Sequence, residues 1–364
     1  MEQNPQSPQS GAPVLDVGAD MINLPVDHVW LGREQEDVLE PELPIVDPHH
    51  HLWDRPGSRY MPPDLRDDTL SGHKVIATVY VESNAMYRSS GPVELMPVGE
   101  TEIMSAICTP WAGDGQPALC AAVIGYVDLF AGAGVQEVLE AHLRAGAGRF
   151  RGIRQVTAWH EVSSLQTPQH GPRRPLAAGM MSDARFLAGF SHLAPMGLSF
   201  DAWLYHTQLL ELAVLARAYP NTTIVLNHLG GPIGAGPYRR RGDEVFAEWS
   251  SAMAELATCQ NVRVKIGGFG MRLLGFDYRL RERPASSAEL AEDWRPFVER
   301  CIELFGPDRC MFESNFPIDK AYFSYRTLWN AFKRLTSGAS EGEKRQLFGR
   351  TATQVYDLRI STRQ

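Results

Sequence analysis

Pro44-Ile45-Val46-Asp47-Pro48-His49-His50-His51-Leu52-Trp53-Asp54 joins an apolar, β-favouring lead-in to an aspartate and three consecutive histidines. Side chains alternate along an extended strand, so His49 and His51 project to one side and His50 to the other. Two imidazoles sharing a face can grip one divalent cation or one polarised carbonyl. Histidine pairs also occur as core or surface filler, so the rest of the chain decides between these readings.

Working outward, seven further short apolar runs follow, at 74–82, 122–128, 150–156, 198–203, 223–228, 262–267 and 310–315. With 44–46 running into the histidines they predict eight strands. Helical patterns lie between several of them. Leu209, Leu212, Ala213, Leu215 and Ala216 recur at helical spacing over 208–219, and 294–304 behaves alike. Near the C-terminus, Tyr322, Tyr325, Leu328, Trp329, Phe332 and Leu335 form a core-facing helical stripe. Strands alternating with helices predict one parallel (β/α)₈ TIM barrel over 44–364, preceded by an N-terminal extension, 1–43, whose first twenty residues read as a flexible arm. The alternative is a doubly wound open sheet, but no Gly-x-Gly-x-x-Gly follows any strand. The connections after the fourth and sixth strands, about 158–197 and 230–258, are long. On a barrel, such loops build the catalytic face.

Composition narrows the function classes. The chain has 364 residues, 44% hydrophobic, enough for a large core. A net charge of −8, with no basic run longer than Arg239-Arg240-Arg241, argues against a nucleic-acid surface. No apolar run is long enough for a membrane span, and 1–20 lacks the pattern of a signal peptide. Five cysteines without a CxxC read as reduced thiols of a cytoplasmic protein.

The strand ends carry the functional case. His49 and His51 finish the first strand, Glu82 the second and Asp128 the third. Arg151 and Arg154 lie on the fourth, Asp201 on the fifth, followed by Tyr205, then His228, Lys265, and finally Glu313 and Asn315. Unpaired, such groups would cost several kcal/mol each to bury, so gathering them round one mouth implies pairing and ligand binding.

Asp47-Pro-His-His-His51, Arg151-Gly-Ile-Arg154, Leu226-Asn-His-Leu-Gly-Gly-Pro232 and Met311-Phe-Glu-Ser-Asn-Phe-Pro317 occur in that order. They resemble the amidohydrolase superfamily, within the amidohydrolase-related family of sugar-lactone and dicarboxylate lactonases. The resemblance implies a TIM-barrel hydrolase with functional histidines at His49, His51 and His228. It also implies either one zinc or manganese ion held by those three or no metal at all, since both kinds occur there, along with metal-dependent decarboxylases. Two departures stand out. The family usually closes its eighth strand with Gly-Ser-Asp-x-Pro, where this chain has Glu313-Ser314-Asn315-Phe316-Pro317. An amide takes no proton at neutral pH, so Asn315 cannot do the aspartate's work. Glu313, two residues earlier and on the same face, is the expected replacement; the alternative is that it only pairs with a neighbouring cation, and Glu82 and Asp201 are then the next candidates. On the fifth strand Asp201 stands where a metal-binding histidine is common, which argues against a two-metal centre.

The expected enzyme opens a lactone or related small cyclic ester: histidines polarise the carbonyl, Glu313 takes a proton from water, and Glu82, Arg151, Arg154, Asp201, Tyr205 and Lys265 contact an anionic or hydroxylated small-molecule substrate. A decarboxylase using the same histidines and a degenerate ligand-binding barrel are the alternatives. No nucleic-acid or membrane partner is expected; the oligomeric state is open, a homo-oligomer among the options.

Overall fold

Runs of β-branched and aromatic residues such as Val75-Ile-Ala-Thr-Val-Tyr-Val81 favour pleated, buried strands. In the computed structural model, which describes residues 24–108, 116–166, 169, 171 and 173–359, such runs form β1 (Ile45–His50), β4 (Val75–Val81), β5 (Ala118–Gly125), β6 (Phe150–Val156), β7 (Ser199–Trp203), β8 (Ile224–Leu226), β9 (Val262–Ile266) and β10 (Cys310–Phe312). A short antiparallel hairpin, β2 (Trp53–Arg55) and β3 (Ser58–Tyr60), follows β1. The eight long-range partners lie in the order β1-β4-β5-β6-β7-β8-β9-β10, every pair parallel. The ring closes where His50 bridges to Phe316: the His51 N–H donates to the Phe316 carbonyl at 2.7 Å and the Asn315 N–H to the His49 carbonyl at 2.9 Å. This is the expected (β/α)₈ barrel. The arm at 1–20 lies outside the described residues.

Every expected strand is present, with shifted ends. β5 starts at Ala118, not 122, because an alanine-rich stretch gives little β signal and pairs only through an irregularity beside Cys120, at φ 50°. β8 and β10 stop short because His228, Leu229 and Asn315 turn into the left-handed region, at φ 51°, 45° and 54°. The β2–β3 hairpin was not expected; it turns at Gly57, φ 74°.

The periodic segments become helices Leu209–Ala218, Ser287–Phe305 and Tyr325–Leu335; the second is started by a capping box between Ser286 and Glu289. Val46, Val79, Val81, Ala122, Ile124, Val225 and Met311 fill the barrel, and its floor is sealed by Ala352, Tyr356 and Leu358. Arg151 serves that floor. Its Nε donates to the Tyr356 carbonyl at 2.8 Å and its Nη2 to the Asp357 carbonyl at 3.3 Å, so it sits at the opposite end of β6 from the mouth. The expected pairing of Arg151 with Arg154 on a substrate is thereby corrected: three residues of strand, about 10 Å, separate them.

Cysteine usage also differs from expectation. Cys108 ends the helix Val98–Ile107 directly beside the start of β5, its Cα 5.8 Å from that of Cys120, and the two form a disulfide. Cys259, Cys301 and Cys310 are free and buried. Among the described residues no helix is long and apolar enough to cross a membrane.

One buried histidine makes stability pH-dependent. His142 has no exposed surface, stacks on Phe150 at 4.8 Å, donates from Nε2 to the Tyr126 carbonyl at 3.1 Å and accepts at Nδ1 from Thr101 at 2.8 Å. Burial pulls its pKa from 6.5 to about 4. Between those values the unfolded chain binds the extra proton, so stability falls as pH is lowered from about 6.5 to about 4. A gap of that size corresponds to about 3 kcal/mol. Thermal unfolding followed by circular dichroism from pH 7.5 to 4.5 should show a shallower acid slope in His142→Gln than in the wild type; equal slopes would contradict this account.

Candidate active site

The seam between β1 and β10 is also where the chemistry gathers. Asp47 clamps it: Oδ1 accepts the Ser314 N–H at 3.0 Å and the His49 N–H at 3.3 Å, and Oδ2 the Tyr325 hydroxyl at 3.0 Å. Burial raises the Asp47 pKa to about 6. The clamp turns His49 and His51 into the barrel mouth. His50 faces outward, where the Thr78 hydroxyl meets its Nε2 at 2.9 Å; burial lowers its pKa to about 3, and it is a structural group.

Glu313, with no exposed surface, lies between two of the histidines. Its Oε1 is 2.6 Å from His228 Nδ1, and its Oε2 is 2.7 Å from His49 Nδ1. His51 Nδ1 donates to the Val81 carbonyl at 2.7 Å, which leaves its Nε2 lone pair facing His49 Nε2 at 3.3 Å. Burial first, then the charge of Lys265, holds the His49 pKa well below its ordinary value; for His51 the causes are burial and then Arg154. Both imidazoles are therefore neutral at physiological pH. The Trp203 ring packs edge-on to His228 at 4.9 Å, and Trp53 stacks beside His51 at 6.0 Å.

The donor atoms of His49, His228 and Glu313 lie within 4.8 Å of one another. His49 Nδ1 and Glu313 Oε2 are buried and close, yet neither has a hydrogen-bond partner of good geometry. Two imidazoles and a carboxylate suit a zinc or manganese ion, so these residues fit one. Glu313 thus joins a group in which His49, His51 and His228 were expected, and His51 stands beside it.

Other expected residues divide. Glu82 and Arg154 are at the mouth. Arg154 Nε donates to Glu82 Oε1 at 2.7 Å, and its Nη1 lies 3.3 Å from His49 Nε2. Asp201 and Lys265 are fully buried and bonded to each other at 2.6 Å, below the histidines. Asn315 donates its amide to Asp319 at 2.8 Å. Tyr205 is buried, and its hydroxyl donates to the Leu165 carbonyl, so it ties down the loop after β6.

Three features escaped sequence reasoning. Arg173, from the loop after β6, ion-pairs with Glu82 Oε2; nothing in Pro172-Arg173-Arg174-Pro175 marks it. Asp319 accepts from both Asn315 and the Gly270 N–H, and burial raises its pKa well above its ordinary value. The third had a readable signal, Gly267-Gly268-Phe269-Gly270 directly after a strand. A Cβ at Gly267 would lie 2.4 Å from Glu313 Cγ, and one at Gly268 2.7 Å from His228 Nδ1.

Comparisons with known proteins bear on the family and the fold. A family model described as Amidohydrolase matches residues 46–358. The chain is 31% identical over 329 residues to the uncharacterized protein y4mH of Sinorhizobium fredii, covering 86% of this chain and 99% of that one. It is 29% identical over 183 residues to an L-fucono-1,5-lactonase of Burkholderia multivorans, covering 49% of this chain and 57% of the lactonase. A solved amidohydrolase from Burkholderia multivorans aligns with a TM-score of 0.66 at 22% identity, covering 86% of this chain and 99% of that one. Its form with bound zinc gives 0.64 at 21% identity over the same shares, 86% and 99%. At those identities the solved structures show a shared barrel.

The glycine wall supplies a test. At Gly268 φ is +71°, and a methyl group would press on His228. Gly268→Ala should lower turnover at least tenfold while the far-ultraviolet circular dichroism spectrum stays that of the wild type. Unchanged turnover would show that His228 does not need its present position.

Proposed function

Because this chain belongs to the amidohydrolase family, we propose that it is a hydrolase that opens a lactone, with Glu313 setting the proton chemistry of the mouth through His228 and His49. One observation carries the reading: a fully buried carboxylate hydrogen-bonds the Nδ1 of His228 at 2.6 Å and lies 2.7 Å from the Nδ1 of His49. Such a carboxylate fixes the tautomer with a free Nε2 lone pair and stabilises the imidazolium formed when that nitrogen takes a proton. Both Glu313 oxygens face imidazoles, so it acts through them and not directly on water.

His228, whose Nδ1 Glu313 holds at 2.6 Å, is the base. A water oxygen bonds to the lactone carbonyl carbon while His228 Nε2 takes its proton. The bond from that carbon to the ring oxygen breaks, the proton passes to the departing alkoxide, and a hydroxy acid leaves. Arg154, on the other side of His49, faces the carbonyl oxygen as its charge grows. Were the Nδ1 protons of His49 and His228 replaced by a zinc or manganese ion held together with Glu313, that ion would supply the Lewis acidity toward the carbonyl in their stead. The lactonase likeness covers part of the chain and supports the reaction class.

The test is hydrolysis of a panel of sugar lactones followed with a pH indicator, in wild type and Glu313→Gln. A glutamine presents an NH₂ to one of the two Nδ1–H groups, so kcat/KM should fall about 10²- to 10⁴-fold, the usual range for losing acid–base function. Turnover near wild type in Glu313→Gln would sink the assignment. Release of CO₂ from aromatic acids without lactone opening would mark a decarboxylase; binding without turnover would mark a degenerate barrel. The same donor set predicts about one zinc or manganese per chain, by plasma mass spectrometry of protein purified without added metal, and less in Glu313→Gln.

A further inference from the structure

Resting on the lactonase reading, we propose that Glu82 makes this mouth selective for an uncharged, hydroxylated lactone over one that carries a carboxylate, by occupying both guanidinium groups at the rim. Glu82 follows β4 and has no exposed surface. Its Oε1 takes Arg154 Nε at 2.7 Å, its backbone carbonyl takes Arg154 Nη2, and its Oε2 is ion-paired with Arg173. Arg154 Nη1 is directed at His49, so each nitrogen of that guanidinium has a partner. Arg173 is covered elsewhere too: Nε meets the Tyr87 hydroxyl at 3.3 Å and the cation lies 4.8 Å over the Tyr126 ring.

The charges balance. Arg154 and Arg173 both pair with Glu82, Glu313 lies between His49 and His228, and Lys265 below is paired with Asp201. A third, more peripheral cation, Arg55, donates to the Ser83 carbonyl, lies over Trp53 at 4.6 Å, and interacts with the buried carboxylate of Glu100. A substrate carboxylate entering here would have to pull a guanidinium from Glu82 and leave that carboxylate buried and unpaired, an exchange with no net gain. Hydroxyl groups face no such penalty. A carboxylate only accepts hydrogen bonds, whereas a hydroxyl both donates and accepts. The rim offers guanidinium hydrogens beside carboxylate lone pairs, which is the pattern a polyol ring satisfies.

Two lactones that differ only at one end, D-glucono-1,4-lactone with a hydroxymethyl group and D-glucaro-1,4-lactone with a carboxylate, give the readout. The wild type should favour the neutral lactone by at least tenfold in kcat/KM. Glu82→Gln, which leaves the two guanidinium charges unbalanced, should shift that ratio at least tenfold toward the anion. Arg173→Gln, which leaves Glu82 with a single cation, should shift it the other way and keeps the test open if Glu82→Gln fails to fold. A wild type that favours the carboxylate lactone, or ratios unmoved in both variants, would overturn the proposal. If the wild type opens neither these lactones nor any of the sugar-lactone panel, the hydrolase reading has failed separately, and binding then decides by titration calorimetry with glutarate and 1,5-anhydroglucitol. Tighter glutarate binding by the wild type overturns the proposal; glutarate binding gained only in Glu82→Gln supports it.

Discussion

A carboxylate with no contact with solvent has to be satisfied by its neighbours, and the way Glu313 is satisfied organises the mouth of this barrel. Burial of an isolated carboxylate is costly enough that the fold must deliver partners to it. It brings them from two places remote in sequence: His228, after β8, meets Oε1 with its backbone N–H and Nδ1, and His49 on β1 sets its Nδ1 2.7 Å from Oε2. For His228 to arrive, the backbone there turns left-handed at φ 51°, and the neighbouring chain must lack side chains at Gly267 and Gly268. The two strained histidine-loop residues and the glycine run are thus consequences of one electrostatic requirement.

The same seam closes the barrel. β10 contributes few strand residues, and contact with β1 runs through the backbone of His49, His50, His51, Asn315 and Phe316. Asp47 reinforces it from behind with two backbone donors and the Tyr325 hydroxyl. Closure and site geometry therefore rest on the same hydrogen bonds, which places the histidines on rigid scaffold and leaves variation to the loops after β6 and β8.

The barrel was legible because its signals are local. Each strand announces itself by a short apolar run, and each of His49, His51, Glu82, His228 and Glu313 sits within two residues of a strand end. What was not legible depended on distance in the third dimension. Arg151 and Arg154 are three residues apart and look like a pair, yet strand rise sends one to the floor and the other to the mouth. Arg173 enters from a loop with no periodicity to place it. Cys108 and Cys120 gave no disulfide signal, since their pairing depends on where one helix ends above one strand. The exchange of the usual aspartate for Asn315 was visible; that its amide would be committed to Asp319, four residues on, required the turn itself.

Below the histidines a second buried charge pair connects the floor to the site. Asp201 accepts from Lys265 at 2.6 Å, from Asn227 at 3.0 Å and from the Tyr356 hydroxyl at 3.0 Å. Asn227 is the residue immediately before His228, and Tyr356 belongs to the C-terminal segment that Arg151 grips. An apolar pair of similar volume in place of Asp201 and Lys265 could fill this layer with equal or greater stability, because desolvating two ions consumes most of their attraction. A purely apolar layer, however, would fix neither the amide of Asn227 nor a positive charge under His49. Breaking the pair by removing one partner costs about 3–5 kcal/mol in comparable buried settings, more than replacing both together. The layer thus ties the backbone leading into His228 to the C-terminal plug. Arg151, whose spacing to Arg154 suggested the mouth, is joined to this layer through the Tyr356 carbonyl.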